Sequence, residues 1–152
     1  IFGILVLIGD TIKGIAGTLI SGWLGQPEIA PWCGLAVIGG HNWPLQFKFQ
    51  GGKGIATSFG VIIVLVPETL FILAPLWLLT LVLSGYVSLA SMVAAFALPW
   101  SCLLFYPGEP NILIFATLVG ALAIFRHRAN IQRIINGTEN RIFRKKAREE
   151  KE

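Results

Sequence analysis

The sequence predicts an all-α fold, a polytopic helical bundle embedded in a membrane, and three observations predict it. Only 13% of the 152 residues are charged and 55% are hydrophobic, about half the charge of an ordinary soluble domain. Mean hydropathy is +0.73. Apolar runs recur along the chain between short polar turns, at a spacing that suits crossings of about 20 residues each. The charge is also localised: nine of the twelve basic residues fall between Arg126 and Lys151, and the others are Lys13, Lys48 and Lys53. A basic tail after an apolar run reads as cytoplasmic, and as a surface drawn to anionic membrane lipids. The tail lacks the aromatic interleaving that stacking on bases needs, so no nucleic-acid partner is expected. Cys33 and Cys102 lie in apolar surroundings and form no metal-ligand cluster; they read as buried free thiols, and no metal or cofactor is expected.

Residues 1–24 are long enough to span, interrupted only by Asp10 and Lys13. At i and i+3 these two share a helical face and can pair, either as a site at membrane depth or as a structural ion pair. Gln26 to Pro31 is a polar turn, and Trp32 to Gly40 is half a span, which suits a segment shielded by other helices. Ile55 to Val66 is short and ends at Pro67-Glu68; Thr69 to Leu83 ends at Ser84-Gly85. Tyr86 to Tyr106 is a full span with Pro99 inside it and with Trp100 and Tyr106 as interface anchors. After the tight loop Pro107-Gly108-Glu109-Pro110, Asn111 to Phe125 returns to the basic tail. Counting back from a cytoplasmic C-terminus gives about six crossings and puts both lysine-bearing polar stretches inside. The chain reads as a single domain over 1–152, with membrane segments in 1–125, a cytoplasmic loop at 41–54 and a tail at 126–152. It starts on an apolar Ile without a recognisable signal peptide, as an N-terminally truncated chain would.

The loop is the one polar, glycine-rich island. Gly51, Gly52 and Gly54 allow tight turns, positive φ and N–H groups converging on one point; Lys53 adds a charge, and a helix beginning at Ile55 adds its N-terminal dipole. Phosphate is the fitting guest. Phe47 and Gly54 stand where a Walker A motif needs Gly and Ser or Thr, which excludes an NTPase of that type. The alternative is a connecting loop with a snorkelling lysine.

In the tail, Arg126-His127-Arg128-Ala129-Asn130 places His127 and Asn130 on one face if the last span continues as a helix. They read either as an acid–base group with its hydrogen-bonding partner or as part of a headgroup collar. Asn136-Gly137-Thr138 has the glycosylation pattern, but in a cytoplasmic tail it reads as a turn.

Gly40-His41-Asn42-Trp43-Pro44, Phe49 through Thr57, Tyr86 through Ser91, and Arg126 through Ile131 with Asn136 through Glu139 together resemble the bacterial acyl-phosphate:glycerol-3-phosphate acyltransferases of the PlsY family. The resemblance spans essentially the whole chain. It implies an inner-membrane enzyme of seven spans, its active site and C-terminus facing the cytoplasm, that transfers an acyl group from acyl phosphate to the sn-1 hydroxyl of glycerol 3-phosphate. The first span and its Ser- and Arg-bearing motif have no counterpart here. By the same resemblance Gly51, Gly52, Lys53, Gly54 and Thr57 bind substrate phosphate, His127 and Asn130 are functional, and Glu139 is structural. Ser91, and secondarily Ser88, reach the substrate from mid-bundle, and His41, Asp10 and Lys13 are further candidates. A monomer is expected. Neither His41 nor His127 is followed by the aspartate of an H-x4-D acyltransferase, since Gln46 and Gln132 stand there. The rival is a small transporter or channel with Asp10 and Lys13 on its path, and a bare membrane anchor would leave the island unexplained.

Overall fold

The computed structural model describes residues 2–49 and 51–142; the charged end from 143 onward, expected as a solvated or frayed helix, lies outside them. Seven α-helices are present among the described residues: α1 Phe2–Trp23, α2 Ala30–Asn42, α3 Ile55–Leu65, α4 Leu70–Ser84, α5 Val87–Phe105, α6 Pro110–Arg126 and α7 Arg128–Ile135. The breaks follow local chemistry. Gly85 closes α4 with φ 74° and donates its N–H to the Leu81 carbonyl, as C-terminal glycines do. Pro67 starts a 3₁₀ turn, Pro67–Thr69, that leads into α4.

All six apolar stretches are helical, but their lengths differ. α1 has 22 residues and α5 has 19; α4 with its leading turn has 18. At about 1.5 Å rise per residue these approach or reach the hydrocarbon thickness of about 30 Å. Among the described residues, three helices are thus long and apolar enough to cross, or four when α6 and α7 are read together across their bend of 51°. α2 and α3, with 13 and 11 residues, fall short alone. Both sit inside: Ile38 from α2 and Val61 and Ile62 from α3 share the core with Leu98, Phe115, Ala116 and Val119. α1 and α3 touch backbone to backbone, because a Cβ on Gly14 would run into the Thr57 carbonyl and one on Gly60 into the Thr11 carbonyl. Small residues allow such contact where lipid supplies no hydrophobic drive.

The outward faces are apolar. Leu5, Ile12, Phe71, Leu83, Phe96 and Leu104 are all more than half exposed, which a water-soluble surface of this extent would not tolerate. The chain is a multi-pass membrane protein. Trp100 points outward, whereas Tyr106, at the end of α5, donates its hydroxyl to Glu68 in the Pro67–Thr69 turn. Cys102 is buried and Cys33 half-buried, both as free thiols.

Candidate active site

The polar loop leaves α2 at Trp43, passes through a 3₁₀ turn at Leu45–Phe47, and takes positive φ at Lys48 and Phe49, 51° and 62°. Of the three glycines for which the sequence suggests positive φ, only Gly54 takes it, at 75°. Gly51 and Gly52 are required for close approach instead: a Cβ on Gly51 would strike the His41 carbonyl, and one on Gly52 the His41 ring. The loop therefore lies flat against the end of α2.

Arg126, the last residue of α6, fixes it there. Its Nη2 donates to the Gly51 carbonyl at 2.8 Å and the Gly52 carbonyl at 2.7 Å, its Nε also donates to Gly52 at 3.2 Å, and its guanidinium lies 5.5 Å from the Trp43 ring centroid. In a trans peptide the N–H points opposite to the carbonyl. Drawing the Gly51 and Gly52 carbonyls to Arg126 thus turns the N–H groups of Gly52 and Lys53 the other way, with no partner among the described residues. Arg126 is absent from the sequence-derived site because it reads there as one more cation of the headgroup collar.

The last span does not simply continue: the axis bends 51° at His127, which closes α6 and opens α7. His127 and Asn130 are nevertheless both buried, 2% and 3% exposed. His127 Nδ1 lies 2.8 Å from the Ala123 carbonyl, which can only accept, so Nδ1 carries the proton. In the neutral ring Nε2 is then a lone pair. Burial pulls the His127 pKa down; the Ala123 hydrogen bond and Glu139 oppose this, and the charge of Lys53 adds to it. Burial also lowers the Lys53 pKa, with Glu139 raising it and Arg133 lowering it. Lys53, His127 and Glu139 therefore share one electrostatic neighbourhood.

Glu139 gathers the tail. Its Oε1 accepts from Ser88 Oγ and from Asn130 Nδ2, both at 2.6 Å, and its Oε2 from Arg133 Nε at 2.7 Å. Burial alone would raise its pKa, but these hydrogen bonds and the Arg133 charge bring it to about 2. Gly137, φ 67°, makes the turn that brings Glu139 back. Arg141 stacks on Tyr86 at 4.8 Å, and the Ile142 N–H donates to the Gly85 carbonyl, so the tail is tied down at least to Ile142.

The remaining candidates divide. Ser88 serves Glu139, whereas Ser91, buried one turn on, accepts from Trp77 Nε1 at 3.3 Å. Ser91 lines an apolar cavity of about 410 Å³ with Leu7, Ile62, Leu73 and Leu98, which reaches Ala123, the residue whose carbonyl holds His127. Asp10 does not pair with Lys13: its Oδ1 lies 3.3 Å from His41 Nδ1, since α2, which ends near His41, packs against α1. Lys13 lines a separate open cleft with Gly17, Ile20 and Trp43. An Asp10–Lys13 permeation pair is thus not formed.

The fold and this end of it, a glycine loop with a lysine held by Arg126 next to the buried His127, are those of a multi-pass membrane protein with a polar candidate site at one end of its helical bundle. The model of the glycerol-3-phosphate acyltransferase family matches residues 1–137. The glycerol-3-phosphate acyltransferase of Desulforamulus reducens is 45% identical over 146 residues, 95% of this chain and 72% of that protein. That of Pseudomonas aeruginosa PAO1 is 40% identical over 137 residues, 90% and 71%. Two crystal structures of PlsY (YgiH), an integral membrane glycerol 3-phosphate acyltransferase, match with TM-score 0.83 and 36% identity. The lysophosphatidic acid form is covered to 72% and the glycerol 3-phosphate form to 70%, each over 92% of this chain. The chain belongs to the glycerol-3-phosphate acyltransferase family.

Proposed function

We propose that the protein transfers a fatty acyl group from acyl phosphate to the sn-1 hydroxyl of glycerol 3-phosphate, giving lysophosphatidic acid and phosphate. The observation that carries this reading is the state of His127, whose Nδ1 proton is committed to the Ala123 carbonyl and whose Nε2 lone pair stands in the field of Lys53. Acyl phosphate is a mixed anhydride with a good leaving group, so no covalent enzyme nucleophile is needed; positioning and charge stabilisation suffice. The glycerol hydroxyl oxygen attacks the acyl carbonyl carbon, the bond from that carbon to the phosphate oxygen breaks, and phosphate leaves. His127 Nε2 accepts the hydroxyl proton. Lys53 and the N–H groups of Gly52 and Lys53 hold phosphate, Thr57 stands in the following helix turn, and the Asn130 carbonyl oxygen, buried without a partner, is an acceptor for a substrate hydroxyl. The glycerol 3-phosphate form of the PlsY neighbour supports glycerol 3-phosphate as the substrate that receives the acyl group. The cavity beside Ser91 suits the acyl chain.

The clamp of Arg126 on Gly51 and Gly52 puts the lysine-bearing loop and the basic tail at one end of the bundle. Charge asymmetry then supports a cytoplasmic site in a bacterial inner membrane. Lys53→Ala in the full-length protein, assayed for lysophosphatidic acid formation, is expected to raise KM for a phosphate substrate about tenfold or more, the scale of a lost charge-assisted contact. Unchanged kinetics would overturn the cradle.

A further inference from the structure

α3 begins without a cap of its own. Its N-cap residue is Gly54, which has no side chain to accept from the first-turn N–H groups, and no side-chain capping bond is made. Those N–H groups need partners, and a helix start carries partial positive charge. The side chain that stands where a cap would begin comes from another element: Asn42 Oδ1 lies 2.6 Å from the position of a Cβ on Gly54. Asn42 closes α2, is 0% exposed, and neither its Oδ1 nor its Nδ2 has a hydrogen-bond partner. In the same first turn of α3, the Thr57 hydroxyl is also 0% exposed and unpaired. A buried polar atom left without a partner is destabilising. Three of them at one helix start mark a place completed by something else.

We propose that Asn42 and Thr57 are the buried wall of an oxyanion site at the start of α3, and that Asn42 determines its specificity by being neutral. An amide offers an N–H₂ to a tetrahedral oxyanion while leaving the positive helix start uncompensated, so the charge must come from the ligand. A carboxylate in the same place would supply that charge internally and cap the helix for good. Gly54, lacking a side chain, lets the amide pack directly under the loop that carries Lys53, so that one phosphate group meets loop, helix start and amide together. The inference rests on the reading of the loop as a phosphate cradle, for which the resemblance already implies Thr57, and adds to it the Asn42 side chain from beneath.

The test uses the full-length protein in nanodiscs, with KM for glycerol 3-phosphate, calorimetric binding of inorganic phosphate and thermal unfolding measured on each variant. Asn42→Asp, which keeps the size, is expected to raise KM and weaken phosphate binding about tenfold or more, with a smaller change in kcat and a melting temperature equal to or above that of the parent. Thr57→Val is expected to weaken phosphate about threefold to tenfold, as loss of one hydrogen bond does. If Asn42→Asp fails to fold, Asn42→Ser serves, with the same direction on KM. A purely structural amide gives the reverse, a lower melting temperature with phosphate binding kept, and overturns the proposal. If Lys53→Ala raises KM while the Asn42 and Thr57 variants keep it within about twofold of the parent, a difference under about 0.5 kcal/mol, the cradle stands and this inference alone falls. If Lys53→Ala changes nothing, the cradle itself falls.

Discussion

Around Glu139 hydrogen bonds converge, while around Gly54 they are withheld. The carboxylate takes donors from Ser88, Asn130 and Arg133, joining α5, α7 and the returning turn. At the start of α3, the Asn42 amide and the Thr57 hydroxyl are buried with no partner. Arg126 and His127 stand side by side between the two, one reaching back to the loop and the other to α6. The contrast separates two tasks: a satisfied network is rigid and can place a base, whereas an unsatisfied one is completed by what binds. Changes on the first side should therefore move kcat and stability, and changes on the second should move KM.

The largest effect tests whether the rigid side does place a base. His127→Ala is expected to lower kcat about 10²- to 10⁴-fold, the range for loss of a general base, with KM for either substrate little changed. Because burial lowers the His127 pKa from 6.5, the ring stays neutral below that value, and the acid limb of the kcat profile should fall at lower pH than for a free imidazole. A variant that loses affinity and keeps turnover would erase the contrast.

Next in size is the framework itself. Glu139→Gln keeps the shape and removes the charge, and should cost about 1.5–3 kcal/mol of stability, the worth of hydrogen bonds to a charged group, read as a lower melting temperature in detergent. The sign with pH follows from a folded pKa of about 2 against an ordinary 4.5: the stabilisation is fully present above about 4.5 and is lost as pH falls towards 2. Glu139→Gln should abolish that part of the acid dependence. Arg126→Lys then probes the other side. A lysine cannot span two carbonyls with one planar fork, so the loop loosens, and KM for a phosphate substrate should rise about tenfold with kcat changed less.

Much of the fold was legible because composition, apolar runs and turn residues are local properties: the helix ends at Ser84-Gly85 and Pro67, and the turn at Gly137, stand where their residues place them. The glycine loop and the pair of His127 and Asn130 were legible as residue types. What escaped depends on partners distant in the chain. Nothing local shows that Arg126 reaches Gly51 and Gly52, that Asp10 meets His41 rather than Lys13, or that Asn42 ends beneath Gly54. The bend at His127 was hidden too, since Arg126 and Arg128 are ordinary helix formers and no Pro or Gly marks the break.

Ser91 gives the smallest effect and divides the site most finely. The resemblance expects this serine to reach substrate, and the geometry gives it two uses: its oxygen accepts from Trp77 Nε1 at 3.3 Å, and its own proton remains to be donated. This hydroxyl lies on the wall of the apolar cavity that runs to Ala123, the cavity proposed above for the acyl chain. Ser91→Ala should raise KM for acyl phosphate about fivefold, equivalent to about 1 kcal/mol for one neutral hydrogen bond, and leave KM for glycerol 3-phosphate unchanged. Equal shifts in both constants would mean that the cavity and the loop are one site rather than two. No shift in either, with a lowered melting temperature, would assign Ser91 to Trp77 alone and move it to the rigid side of the comparison.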